Sequence, residues 1–269
     1  MPVITKIAVQ KNNLDRYSIF VDYGKGEEYA FSVDEDVLIK FNLKKGMELD
    51  DFSLTEINFQ DDIRKAYNLG IHYLSRKMRT ETEVRDYLKT KEVDEPIIQE
   101  VIHKLYEYQF LNDPEFAGAY VRTQMNTSEK GTDLIKRELR EKGVSSTTIE
   151  NALMEYTLTK QLENAKQLCD KYIQKYKKDS ERILKQKLEQ LLLRKGHPHQ
   201  VISLALEEVA FEKEEDEEMA ALRHQAEKAH RKFSNFTGFE YNQKMKQTLY
   251  RKGFSIDMIE RYLNEREDY

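Results

Sequence analysis

Apolar residues change their period along this chain, and the change divides it. Ile4 to Gln10, Arg16 to Asp22 and Glu28 to Val33 are short runs rich in β-branched and aromatic residues. Asn12-Asn13 and Tyr23-Gly24-Lys25-Gly26 separate them with turn-forming residues, which predicts a small antiparallel three-stranded sheet. Asp34 to Phe41 reads as a short helix, with Asp34 as its cap, Val37, Leu38 and Phe41 on one side, and Lys45-Gly46 ending it. Three strands bury little by themselves, so this unit is expected to pack on the helical part of the chain. From about Asp61 the period is helical almost to the end. Pro96, Pro114 and Pro198 all fall at predicted helix starts. Thr80 to Glu83 and Thr237 to Glu240 match the capping-box pattern.

The helical part repeats itself. Leu-x-x-Lys-Gly occurs at Leu139 to Gly143, Leu192 to Gly196 and Leu249 to Gly253; Leu88 to Glu92 is the same string with glutamate in place of glycine. Eight residues before the glycine position stand Val84, Ile135, Leu188 and Met245, and four before it Leu88, Leu139, Leu192 and Leu249. Six after it stand Ile98, Ile149, Ile202 and Ile259, and ten after it Ile102, Leu153, Leu206 and Leu263. Every one of these positions is apolar, in a chain that is 39% hydrophobic. One helix-turn separates the first two rows, which makes them the buried stripe of one helix. The lysine sits in the last turn, where the helix dipole favours a cation, and glycine supplies the left-handed cap. The last two rows are the stripe of a following helix, and a third helix precedes each pair.

Each repeat is therefore a three-helix unit, with glycine positions 51, 53 and 57 residues apart. Single units of this size bury too little alone, so neighbours must stack. The expected fold is mainly α: tandem three-helix repeats stacked into an elongated curved rod, with a small N-terminal β-unit. The expected bounds are 1–60 for the β-rich unit and 61–109, 110–158, 159–211 and 212–269 for the four repeats.

Composition narrows the function classes. Charged residues make up 35% of the 269, and the net charge is −5, so any surface for nucleic acid must be local. No apolar run is long enough for a membrane span, and the N-terminus has no signal-peptide segment. The single cysteine, Cys169, excludes an internal disulfide and suits a reducing cytoplasm. It lies in an amphipathic run and reads as a core or half-buried thiol rather than a nucleophile. His197 and His199 flank Pro198 without acidic or thiol companions, so no metal site is expected. Neither a phosphate-binding glycine loop nor a nucleophile elbow is present; no catalytic residue, cofactor or enzymatic activity is expected.

Basic residues cluster instead. Arg76, Lys77 and Arg79 stand in the first repeat, Arg122, Arg137 and Arg140 in the second, and Arg231, Lys232, Lys244, Lys246, Arg251 and Lys252 in the fourth. Arg223 to Lys252 carries a net +6 with Phe233, Phe236, Phe239, Tyr241 and Tyr250 interleaved, just after Glu207 to Glu218 with a net −7. The acidic stretch reads as a solvated helix end or a hinge. The asymmetry suggests a surface for an anionic partner. Solubility, dipole complementarity and core aromatics are the plainer reading of the same residues.

Leu74 to Leu88 resembles the opening repeat of RecX, the bacterial regulator of the RecA recombinase. Leu111-Asn112-Asp113-Pro114-Glu115-Phe116-Ala117 resembles that family's Leu-x-Asp-x-x-Phe-Ala signature, and Gly131 to Leu139, Lys142-Gly143 and Ile149 match further on. These matches cover about 64–155; the repeats at 160–210 and 215–266 fit more loosely, and the strand-rich first sixty residues and the fourth repeat resemble the longer Gram-positive form rather than the minimal one. The resemblance implies a non-enzymatic modulator, mainly an inhibitor, that binds in the groove of the RecA–single-stranded-DNA filament. It implies limits on filament growth, ATP hydrolysis and strand exchange. The expected partners are the RecA filament, single-stranded DNA and, as a second candidate, double-stranded DNA, with no membrane and a monomeric state. The residues alone leave open a salt-sensitive nucleic-acid-binding repeat protein and a protein-only adaptor.

Overall fold

The computed structural model describes residues 1–209 and 215–267, and these form two compact units. The chain is mainly helical, with one small antiparallel sheet and thirteen helices among the described residues.

In the first unit, Met1–Phe116 with Glu141–Thr148, strands β1 (Val3–Gln10), β2 (Asn13–Asp22) and β3 (Glu27–Asp34) pair antiparallel in the order β1-β2-β3. Helix α1 (Glu35–Lys40) follows at once, and Asp34 caps it by accepting the Asp36 N–H. It ends sooner than Lys45-Gly46 suggests. Asn42, at φ 46°, takes the left-handed position, and the Leu43 N–H returns to the Leu38 carbonyl. Helix α2 (Asp51–Leu74) also begins earlier than the sequence period indicates, because Asp50 accepts the Ser53 N–H at 2.7 Å and caps it. Its Ile57 closes the sheet's core, with Ile4, Ile19, Val21, Val33, Val37 and Leu49. Ile63 and Ala66 on the same helix enter a second core, with Val84 and Leu88 of α3 (Glu81–Lys89) and Ile98, Val101, Ile102 and Leu105 of α4 (Glu95–Glu107). One continuous helix thus serves both the sheet and the first three-helix repeat.

The next three repeats are α5 (Asp113–Thr127), α6 (Thr132–Glu141) and α7 (Ser146–Leu153); α8 (Leu158–Lys175), α9 (Glu181–Arg194) and α10 (His199–Glu208); and α11 (Glu215–Phe233), α12 (Gly238–Arg251) and α13 (Ile256–Glu267). In the second unit, Ala117–Arg140 with Ile149–Tyr269, the third and fourth repeats each have their own core. One centres on Leu168, Cys169, Leu188, Leu192 and Ile202; the other on Leu222, Met245, Leu249, Ile259 and Leu263. The anchor residues read from the repeat are all buried except Leu153 and Leu206, which are half-buried. Of the acidic stretch Glu207 to Glu218, Glu208 ends α10 and Glu215 opens α11; the hinge expected there falls on 210–214, outside the described residues.

A single contact recurs between repeats: the Lys-Gly turn of one second helix seats on the start of the preceding repeat's second helix. In the first unit the Thr80 hydroxyl donates to the Lys142 carbonyl at 2.7 Å, and a β-carbon on Gly143 would fall inside the Thr82 side chain. In the second unit the Gly131 N–H donates to the Lys195 carbonyl at 2.9 Å and the Asp133 N–H to the Gly196 carbonyl at 3.0 Å. The Ser180 hydroxyl donates to the Lys252 carbonyl at 2.6 Å. Free helix-end donors and acceptors thereby satisfy one another. A carboxylate from the next repeat adds to this: Asp113 accepts the Glu81 N–H at 2.9 Å, and Glu218 accepts the Glu181 N–H at 3.1 Å.

The glycines are therefore needed for space as well as for φ. Gly143, Gly196 and Gly253 have φ of 80°, 78° and 95°. Glu92 holds the same left-handed turn at φ 58°, but it is exposed, with no earlier helical repeat for it to seat on. Its side chain is tolerated for that reason.

Candidate partner interface

Three of the basic residues read from the sequence converge. Lys232 lies in the last turn of α11 and Arg251 in the last turn of α12, where the dipole favours cations; Lys252 follows as the C-cap. The packing of the fourth repeat on the third fixes their place. Arg182 of α9 donates to the Tyr250 carbonyl at 2.9 Å, and Ser180 takes that of Lys252. The result is a cavity of about 410 Å³ lined by Lys187, Lys232, Arg251 and Lys252, with Asp179, Ser180, Ile183, Gln225 and Thr248. Asp179 neutralises Lys187 at 2.7 Å and, by that hydrogen bond, holds its ammonium above the usual lysine range. Lys232, Arg251 and Lys252 are exposed and form no ion pair among the described residues. Three uncompensated cations around one opening suit a phosphate backbone or a carboxylate-rich surface.

The remaining candidates are dispersed. Lys244 pairs with Glu240 at 3.5 Å and lies over the Phe236 ring, and Lys246 pairs with Glu260 at 2.6 Å. Arg122 is bound by Glu155 at 3.0 Å. Arg137, Arg140 and Arg231 are exposed. In the first unit Arg76 and Lys77 are exposed just beyond α2, while Arg79 is half-buried 4.2 Å over Tyr73, itself stacked on Tyr87. Arg79 is thus held by ring packing. Sequence reading missed Lys187, Ser180 and Thr248. Each flanks a repeat anchor or caps a helix, but their convergence depends on a contact between residues 72 apart.

The aromatic residues of the fourth repeat divide. Phe233 and Tyr241 pack on its core, whereas Tyr250 and Phe239 are exposed. The expected capping box at Thr237 does not close: the Thr237 side chain makes no cap hydrogen bond, because Gly238 at φ 57° turns the backbone away, and Glu240 goes to Lys244. At Thr80 the box is complete.

Two other groups prove to be built into the packing. Cys169 is fully buried, and burial raises its thiol to about 11, so thiolate character is suppressed. His197 is buried at the junction of the second and third repeats, with Nε2 3.1 Å from the Glu129 carbonyl; burial keeps its pKa below the usual value. No helix of the described residues is long and apolar enough to cross a membrane.

Modules joined by a recurring helix-end contact, with cations gathered where two modules meet, define a tandem helical-repeat protein. Comparison with known proteins makes this specific. The regulatory protein RecX N-terminal domain matches residues 2–50, the first RecX three-helix domain 66–105, the second 112–153, and the third both 159–206 and 215–263. Regulatory protein RecX of Bacillus velezensis is 48% identical over 99% of this chain and all of its own length, and that of Bacillus subtilis matches equally. A crystal structure of regulatory protein RecX superposes with a TM-score of 0.69 at 38% identity, covering 77% of this chain and 100% of its own. RecX from Lactobacillus salivarius gives 0.54 at 40% identity, over 55% and 97%. The chain belongs to the RecX family of regulatory proteins.

Proposed function

We propose that this chain acts in the cytoplasm as a monomeric, non-catalytic inhibitor of the RecA recombinase, binding in the groove of the RecA–single-stranded-DNA filament. The observation that carries the reading is the cavity where the third and fourth repeats meet, with Lys232, Arg251 and Lys252 around it and in no ion pair among the described residues. These cations supply phosphate or carboxylate contacts. The modules 61–109, 110–158, 159–211 and 212–269 supply further weak contacts that add by multivalency. Occupying the groove limits filament growth, ATP hydrolysis and strand exchange. The cavity favours direct contact with DNA over a protein-only adaptor, because it concentrates charge without an apolar lining dominated by large side chains.

Purified protein added below the RecA concentration is expected to lower the DNA-dependent ATPase of RecA from the same source. Unchanged hydrolysis even at excess would overturn the proposal.

A further inference from the structure

The fourth repeat presents a face that its sister repeats keep filled. In the first repeat the start of the second helix receives a Lys-Gly turn through three groups: the Thr80 hydroxyl holds the Lys142 carbonyl, Glu83 holds the Lys142 ammonium at 3.0 Å, and Gly143 rests on Thr82. Aligned by their N-caps, the fourth repeat has Thr237, Glu240 and Phe239, with Thr237 sixteen residues before its glycine as Ser180 is in the third repeat. Thr237 extends its backbone as Thr80 does, yet its hydroxyl makes no cap bond. Glu240 is 61% exposed, and among the described residues it pairs with Lys244 of its own helix alone. Phe239, which stands where Thr82 receives Gly143 in the first repeat, is 83% exposed, more than any other large apolar side chain among the described residues. A cavity of about 310 Å³ opens beside them, lined by His230, Phe236, Tyr241 and Asn242.

We propose that this face is a socket for a Lys-Gly helix end of a partner protein. The hydroxyl suits a terminal carbonyl, Glu240 an ammonium, and Phe239 the flat face of a glycine turn. It continues the contact that joins the repeats, and one family model matches both the third repeat, where this face carries the fourth, and the fourth itself. A second copy of this chain does not supply the occupant. Its turns at Gly143, Gly196 and Gly253 are already seated, and its open turn carries Glu92, whose side chain occupies the space that glycine leaves empty.

The identity of the partner rests on the filament proposal; the shape of the socket does not. Two experiments separate them. Phe239→Asp, a surface change, is expected to weaken binding to RecA filaments on single-stranded DNA about tenfold without altering the salt slope. Equal affinity of variant and unsubstituted chain would overturn the docking role. In a second arm, a chain carrying an extra copy of residues 210–267 after Tyr269 presents its own Lys-Gly turn to the socket. It is expected to unfold in one transition, with a denaturant dependence about a fifth steeper. Phe239→Asp in the original repeat should split off the added module. An added module that unfolds separately in both chains would overturn the socket. If the unsubstituted chain fails to bind filaments, the proposed function falls and the extended chain alone decides this inference.

Discussion

Asp61→Asn is expected to lower stability by about 3–5 kcal/mol, the usual result of breaking a buried charge pair. Asp61 is 2% exposed, at the point where α2 passes from the sheet's core to that of the first repeat. Its carboxylate accepts Arg16 Nη2 at 2.8 Å and Nη1 at 3.3 Å, the Asp34 N–H at 2.8 Å, and pairs with Lys65 at 2.9 Å. An amide has one acceptor oxygen for these donors and turns its own N–H₂ toward the rest. Burial pushes the Asp61 carboxyl upward, but Arg16, Lys65 and the Asp34 N–H outweigh it and hold it below the ordinary value. Its stabilisation is therefore complete above the unfolded carboxylate pKa, about 4, and is lost as pH falls through the lower folded value. Urea unfolding at pH 7 should show the large loss, and the variant should have a flatter acid limb. Equal midpoints at pH 7 would contradict the role given to Asp61.

Gly196→Ala is expected to cost about 3 kcal/mol. The left-handed turn charges an alanine about 1–2 kcal/mol, and here the added carbon also meets the Leu134 backbone and β-carbon, which cannot rotate away. Gly131→Ala strikes the facing carbonyl of Gly196 and should behave similarly. Gly253→Ala should cost less, because it meets side chains of Ser180 and Ile183. Glu92→Gly is the control: the same backbone turn, open to solvent, with a change within about 1 kcal/mol. Equal losses at Gly196 and Gly253 with none at Gly131, whose φ is not positive, measured by chemical denaturation, would show that φ alone explains the glycines.

These glycines also show how far the sequence could be read. Leu88, Leu139, Leu192 and Leu249 recur because each helix must bury the same stripe, and periodicity exposes that directly. The caps at Thr80 and Asp34 depend on neighbours a few residues away and were legible too. The start of α2 was not, because Asp50 and Ser53 sit among residues that also suit a strand. Nor was the failed box at Thr237, since the motif is silent about the backbone of Gly238. At the interface, Lys232, Arg251 and Lys252 were legible as helix-end cations. Their separation from Lys244 and Lys246 was not, because a net charge counts Glu240 without showing that it pairs with Lys244, and Glu260, which pairs with Lys246, lies beyond the stretch counted. Lys187 and Ser180 joined the cavity only through contacts made across repeats.

The decisive measurement is the salt dependence of binding to RecA filaments on single-stranded DNA, for the unsubstituted chain and for a variant with Lys232, Arg251 and Lys252 all changed to glutamine. These side chains are exposed, so the variant is expected to fold. If the three cations meet phosphates, the plot of log affinity against log salt should become shallower by about 2, the value for three contacts to a single strand. Identical slopes and affinities for the two proteins would show that the cavity does not touch the nucleic acid and would contradict the proposed mode of binding.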